Sequence, residues 1–131
     1  MPRLAFYRVI TDVTEVQLPT GEGSHPNSKE LTFSTTDDIE LGESDLRPML
    51  CFQIDPADNV SQKLEVFIRD LAGADRKICT WNLNSGTARW TMEPVKPEWV
   101  RKGENKIIFK VDGHGTIVIR NIVFFFHRNV D

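Results

Sequence analysis

The sequence predicts an all-β fold: an antiparallel two-sheet β-sandwich or jelly roll of about eight strands. Three observations lead there. Short runs of apolar and polar residues alternate with a period of two, and clusters of Gly, Pro, Asn, Asp and Ser separate them. No stretch sustains a period of 3.6, which excludes a helical bundle. The last quarter, Lys102 to Arg128, carries large apolar residues on both faces of its second strand. Such a strand cannot lie on a water-facing sheet, so a second layer is expected over it.

That last quarter reads as two antiparallel strands joined by a tight turn. In the first arm Ile107, Phe109 and Val111 point one way, and Lys106, Ile108 and Lys110 the other. Gly113 and Gly115 bracket His114 and supply residues that accept positive φ. In the second arm Ile117 and Ile119 share one side, and Val118, Ile122, Phe124 and Phe126 the opposite one.

From the start of the chain, Leu4 to Leu18 alternates in two stretches and is rich in β-branched residues, which favours strands. Pro19 to Ser28 holds prolines and glycines and reads as a loop. A short strand follows over Lys29 to Thr35, and the acidic run Thr36 to Asp45 belongs on the surface. Leu46 to Ile54 and Lys63 to Leu71 are expected to pair as sequential antiparallel strands about the turn formers of Asp55 to Asn59. Lys77 to Leu83 and Ala88 to Met92 form a further hairpin through Asn84, Ser85 and Gly86, with Trp90 and Met92 on one face. Pro97 and Glu98 suit the first turn of a short helix that Gly103 ends.

A chain of 131 residues is read as one domain, residues 1–131, long enough to bury a core without staples. Hydrophobic residues at 40% and charged ones at 27% are ordinary for a globular protein. The net charge of −3, with no basic stripe, argues against nucleic acid and anionic membranes as partners. No apolar run is long enough to cross a bilayer, and the start MPRLAFYRVITDV lacks the apolar core of a secretory signal. A cytoplasmic product is the expectation. Cys51 and Cys79 both fall in predicted strands, where a thiol serves as a small hydrophobe; a disulfide between facing strands is the alternative.

The residues Leu64 to Arg69, Trp81 to Asn84, Trp99, Gly103, Glu104, Asn105, Ile107, Phe109 and Ile117 to Phe124 form a recognisable order. Strand, turn, polar strand, a Pro and Trp stretch, then Gly-Glu-Asn before alternating apolar residues resembles the carboxy-terminal half of galactose-binding-like β-sandwiches. That superfamily includes carbohydrate-binding modules, and the resemblance spans roughly residues 46 to 127. It implies a fold, a lectin-like role with carbohydrate as the leading ligand class, and a structural calcium of the kind many such sandwiches carry. It transfers no ligand residue by position, because in that superfamily those sit on variable loops.

Catalytic constellations are missing. His25, His114 and His127 stand in no HExxH, spaced Cys/His set or GxSxG context, so no enzyme is expected. Oxygen ligands for calcium are densest at Asp37, Asp38 and Asp45, with Glu40 and Glu43 between, although the DxDxDG spacing is absent and the residues themselves favour a solvated acidic loop. Sugar recognition needs a flat apolar face with hydrogen-bonding groups beside it. Trp81, Asn82, Arg89 and Trp90 are the candidates for such a platform if both indoles face outward; the competing reading places Trp81 and Trp90 in the core. Consecutive Phe124, Phe125 and Phe126 put rings on both faces of one strand. They support homo-oligomer formation, and with it the second functional class, a structural or assembly protein contacting others through its sheet faces.

Overall fold

A computed structural model describes residues 3–10, 15–19, 27–41, 47–55, 62–83, 88–112 and 116–129. Their strands are β1 (Arg3–Val9), β2 (Glu15–Pro19), β3 (Asn27–Ser34), β4 (Met49–Ile54), β5 (Gln62–Arg69), β6 (Asp75–Leu83), β7 (Arg89–Pro94), β8 (Glu104–Asp112) and β9 (Thr116–Asn129). They form two antiparallel sheets. One has the order β1-β9-β4-β7, with β2 paired to the first part of β9; the other has the order β3-β8-β5-β6. The two layers predicted from the sequence are present, built from nine strands.

The connectivity differs from three of the predicted hairpins. Strands β4 and β5, β6 and β7, and β8 and β9 each lie in different sheets. Each connection therefore crosses the sandwich, letting both strands turn an apolar side inward against the opposite layer. Alternation specifies which side a strand buries but not which neighbour it bonds, so the residue pattern of a hairpin and of a crossing is the same. Among the described strands, β5 and β6 are the sequential pair that shares a ladder. Their turn is built on Asp70, whose Oδ1 accepts from the backbone N–H of Ala72 at 2.9 Å and of Ala74 at 2.8 Å. Gly73 takes φ +84° at its tip, a conformation that costs glycine little. Residues 113–115, the predicted tight turn, lie outside the described residues.

Between the layers, Leu50, Phe52 and Ile54 of β4 meet Leu64, Val66 and Ile68 of β5 and Ile107, Phe109 and Val111 of β8, all fully buried. Phe52 and Phe109 pack edge to face across the sandwich, with ring centroids 5.4 Å apart.

β9 solves its two-faced sequence in an unexpected way. Its ladder with β4 slips between Cys51 and Gln53, and Asn121 sits there at φ +54°. One extra residue inverts the phase of a strand. Ile117 and Ile119 before the slip, and Ile122, Phe124 and Phe126 after it, consequently all face the core. The expected second layer is there, yet the two apolar sets share one face rather than occupying two.

One end of the sandwich is closed by the one-turn 3-10 helix Pro97–Trp99, with Trp99 half-buried against the core. Beyond it Gly103 adopts φ +99°, and buried Asn105 stitches the bend. Its Oδ1 accepts from the Arg101 N–H at 2.8 Å, and its Nδ2 donates to the carbonyls of Arg101 at 2.9 Å and Gly103 at 3.1 Å.

Candidate functional site

The outer faces of the two sheets differ in chemistry. On the four-stranded sheet the outward residues are largely charged and satisfy one another. Lys77 pairs with Glu65 at 2.8 Å, Arg69 bridges Glu30 at 2.9 Å and Asp75 at 3.0 Å, and the Lys110 ammonium lies 5.3 Å from the centre of the Phe67 ring. Such a surface is at ease in water.

The five-stranded sheet shows the opposite. Alternation on β7 sends Thr91 inward and leaves Trp90 and Met92 out, 65% and 64% exposed. After the bulge, β9 sends Phe124 and Phe126 inward and Phe125 outward. Opposite it on β1 stands Tyr7, 57% exposed, with ring centroids 6.0 Å apart. Register then aligns residues across the sheet: Tyr7, Phe125, Met49 and Pro94 form one row, and Val123, Cys51 and Met92 part of the next. Four strands at about 4.8 Å spacing make this an apolar strip roughly 14 Å across. Polar groups punctuate it. Gln53 of β4 stands opposite Trp90 of β7 in the ladder and accepts from Asn121 of β9 at 3.0 Å, so a linked pair of amides runs from β9 toward the indole. A shallow depression of about 250 Å³ opens where Ala5, Arg47, Met49, Met92, Phe125 and His127 meet. An exposed apolar face with polar groups set into it is the mark of a recognition surface.

The four predicted ligand residues do not converge on one platform. Trp90 lies on this face. Trp81, on β6 in the other sheet, is turned toward the core and half-buried, and the Arg89 guanidinium of β7 covers its ring at 4.2 Å. Asn82 points to the opposite side of β6 from Trp81 and is exposed. The reason is the crossing between β6 and β7: the two tryptophans sit on edge strands of different sheets, so alternation aims one in and one out. Tyr7, Phe125, Met92, Gln53 and Asn121 were not foreseen as site residues. The shared side of Trp90 and Met92, and the opposite side of Phe125 from Phe124 and Phe126, could be read from the sequence; which of these come together depends on which strands are neighbours.

Of the predicted calcium ligands, Asp45 lies outside the described residues and Asp37 is exposed. Asp38 is engaged: Arg128 Nε donates to both its oxygens at 2.9 and 3.1 Å, and Arg128 Nη2 donates to Oδ2 at 2.9 Å. That hydrogen-bonded guanidinium holds the Asp38 carboxyl down at about 2. The acidic segment is otherwise pinned to β9, with Ile39 bridged to Arg128 and buried, and the Glu40 N–H donating to the His127 carbonyl at 2.7 Å. Among the described residues no group of three His, Cys, Asp or Glu side chains is placed to hold a metal ion.

Cys51 and Cys79 are free thiols on opposite sides of their respective sheets. Burial pushes the Cys79 thiol up to about 12, with the Glu93 charge adding to it, and burial also raises Cys51. Both are therefore protonated at neutral pH and poor nucleophiles. His25 and His114 lie outside the described residues. Among the described helices none is long and apolar enough to cross a membrane.

The two antiparallel sheets and the connections that cross between them define a β-sandwich of jelly-roll type. Solved structures share it. A family 29 carbohydrate-binding module from Piromyces equi is 12% identical, with 95% of this chain and 91% of that chain covered, at a TM-score of 0.52. A variant of a family 29 module complexed with mannohexaose is 15% identical over 93% of this chain and 92% of that one, also at 0.52. Dimeric latent PorU from Porphyromonas gingivalis matches at 0.58 and 9% identity, over 97% of this chain but only 13% of its own length. At these identities the likeness is one of fold. Neither a family model nor a curated protein matches the chain.

Proposed function

We propose that the chain is a non-catalytic binding module that takes carbohydrate on the outer face of the five-stranded sheet. The observation that carries this reading is the exposure of Tyr7, Phe125, Met92 and Trp90 on one face of the sheet, with the linked amides of Gln53 and Asn121 on that same face. Sugar rings present apolar C–H faces that stack on aromatics and hydroxyls that bond amides, which is the chemistry of this strip. The fold neighbours solved as carbohydrate-binding modules, one with a bound oligosaccharide, support the same assignment. Of the residues expected from the sequence, Trp90 belongs to this site; Trp81 and Arg89 stiffen the edge next to it.

A glycan array followed by titration calorimetry tests the proposal. Binding by the parent chain, abolished in Trp90→Ala and weakened in Tyr7→Ala with circular dichroism unchanged, is the expected result. Silence toward all glycans overturns it.

The same face supports a second reading, self-association or assembly. Phe125 is the member of the Phe124–Phe126 run that remains 42% exposed, and with Tyr7, Met92 and Trp90 it offers a surface that a second chain could cover. Light scattering separates the two: a dimer dispersed by Phe125→Ser and indifferent to glycans favours assembly, and a monomer that binds glycans favours the module.

A further inference from the structure

We infer that the ligand of this face is an acidic glycan, a uronate polymer whose carboxylate is received by Arg47; the inference rests on the carbohydrate reading and narrows it. The depression between Phe125 and Met92 has an apolar floor and two ionisable groups, Arg47 and His127, with no carboxylate among its described lining residues. Arg47 is exposed and forms no ion pair among the described residues, whereas Arg69, Arg76, Arg120 and Arg128 each hold a carboxylate. His127 Nδ1 is buried without a hydrogen-bond partner among the described residues. A guanidinium standing over an apolar floor presents a planar fork that matches a carboxylate in two parallel hydrogen bonds.

The position of Arg47 extends the argument. It also lines a wider depression of about 450 Å³ at the end of the sandwich, together with Lys96, Pro97 and Glu98. A polymer lying on the aromatic strip and passing Arg47 therefore meets a second cation at Lys96, with Glu98 the carboxylate on that side. Two cations, Arg47 and a Lys96 whose ammonium lies 5.2 Å from the centre of the Trp99 ring, suit sugars bearing single carboxylates on a chain of net charge −3; a densely sulfated polyanion would need the basic stripe that the sequence lacks.

The test compares polygalacturonate, polyglucuronate and polymannuronate oligomers with their carboxyl-reduced counterparts, which keep ring and linkage but remove the charge. Calorimetry on the intact chain should show at least one uronate binding about tenfold or more tighter than its reduced form, as one charge-assisted pair provides. Arg47→Gln should erase that preference, Arg47→Lys should restore part of it, and added salt should weaken only the acidic ligand. Equal or tighter binding of the reduced oligomers, unaffected by Arg47→Gln, overturns the acidic assignment and leaves the carbohydrate reading standing. Absence of binding by every acidic and neutral oligomer overturns both.

Discussion

Asn121 donates its side-chain amide to Gln53 Oε1 at 3.0 Å, at the point where the β4–β9 ladder slips and the phase of β9 inverts. The bond and the φ of +54° at Asn121 go together, since Asn is among the few non-glycine residues that enter the left-handed region at low cost. Asn121→Gly should be nearly neutral, and Asn121→Val should destabilise by about 1–3 kcal/mol, because a β-branched side chain is strained there. Urea denaturation of the two variants checks this; equal stabilities would show that the bulge does not depend on that residue's conformation.

The bulge also marks the limit of what could be read in advance. Burial side was legible strand by strand: Leu50, Phe52, Ile54, Leu64, Val66, Ile68, Ile107, Phe109 and Val111 are buried as their alternation required. Neighbours were not. Nothing in the spacing of Ile119 and Ile122 announces an extra residue, and nothing in Trp81 and Trp90 reveals that their strands part company. A binding face assembled from β1, β4, β7 and β9 depends on long-range pairing, so Trp90 could be named with Trp81 as an aromatic candidate but not separated from it, and Tyr7 and Phe125 became partners only in the folded ladder.

Asn105 supplies the second stability prediction. It is 1% exposed and satisfies the N–H of Arg101 and the carbonyls of Arg101 and Gly103 at once. Thr35 Oγ1 bonds the same bend, accepting from the Gly103 N–H at 3.0 Å and donating to the Arg101 carbonyl at 2.9 Å. Asn105→Ala leaves the Arg101 N–H without its partner, whereas the carbonyls of Arg101 and Gly103 keep their bonds from Thr35, and a loss of about 1–3 kcal/mol follows. A shift of the urea midpoint too small for even 1 kcal/mol would mean that water or backbone adjustment replaces the amide.

The Asp38–Arg128 pair makes stability depend on pH in a defined window. The Asp38 carboxyl falls from an ordinary 3.8 to about 2 in the folded chain. A lowered folded value means that the pair's stabilisation is fully present above about 4 and disappears as pH drops from there toward 2. The stability difference between the parent chain and Asp38→Asn should be constant from pH 7 to 5 and shrink below 4. Because Arg128 already occupies both carboxylate oxygens, millimolar calcium should leave the melting temperature of the parent chain unchanged through this residue. A calcium-dependent rise that vanishes in Asp38→Asn would contradict that.

The aromatic face can be interrogated through Trp90 itself. Its indole is 65% exposed, whereas Trp81 lies beneath Arg89 and Trp99 packs half-buried at the sandwich end. Trp90→Phe should therefore shift the fluorescence maximum to the blue and remove the fraction most readily quenched by acrylamide, while changing stability by no more than about 0.5 kcal/mol, as expected of an exposed position. A bound glycan should shield the parent chain from acrylamide and leave the Trp90→Phe variant's quenching unaltered, because only the outward indole lies under the ligand. If glycan protects the variant as fully as the parent, the sugar sits elsewhere, and the covered edge of Trp81 and Arg89 becomes the surface to mutate next.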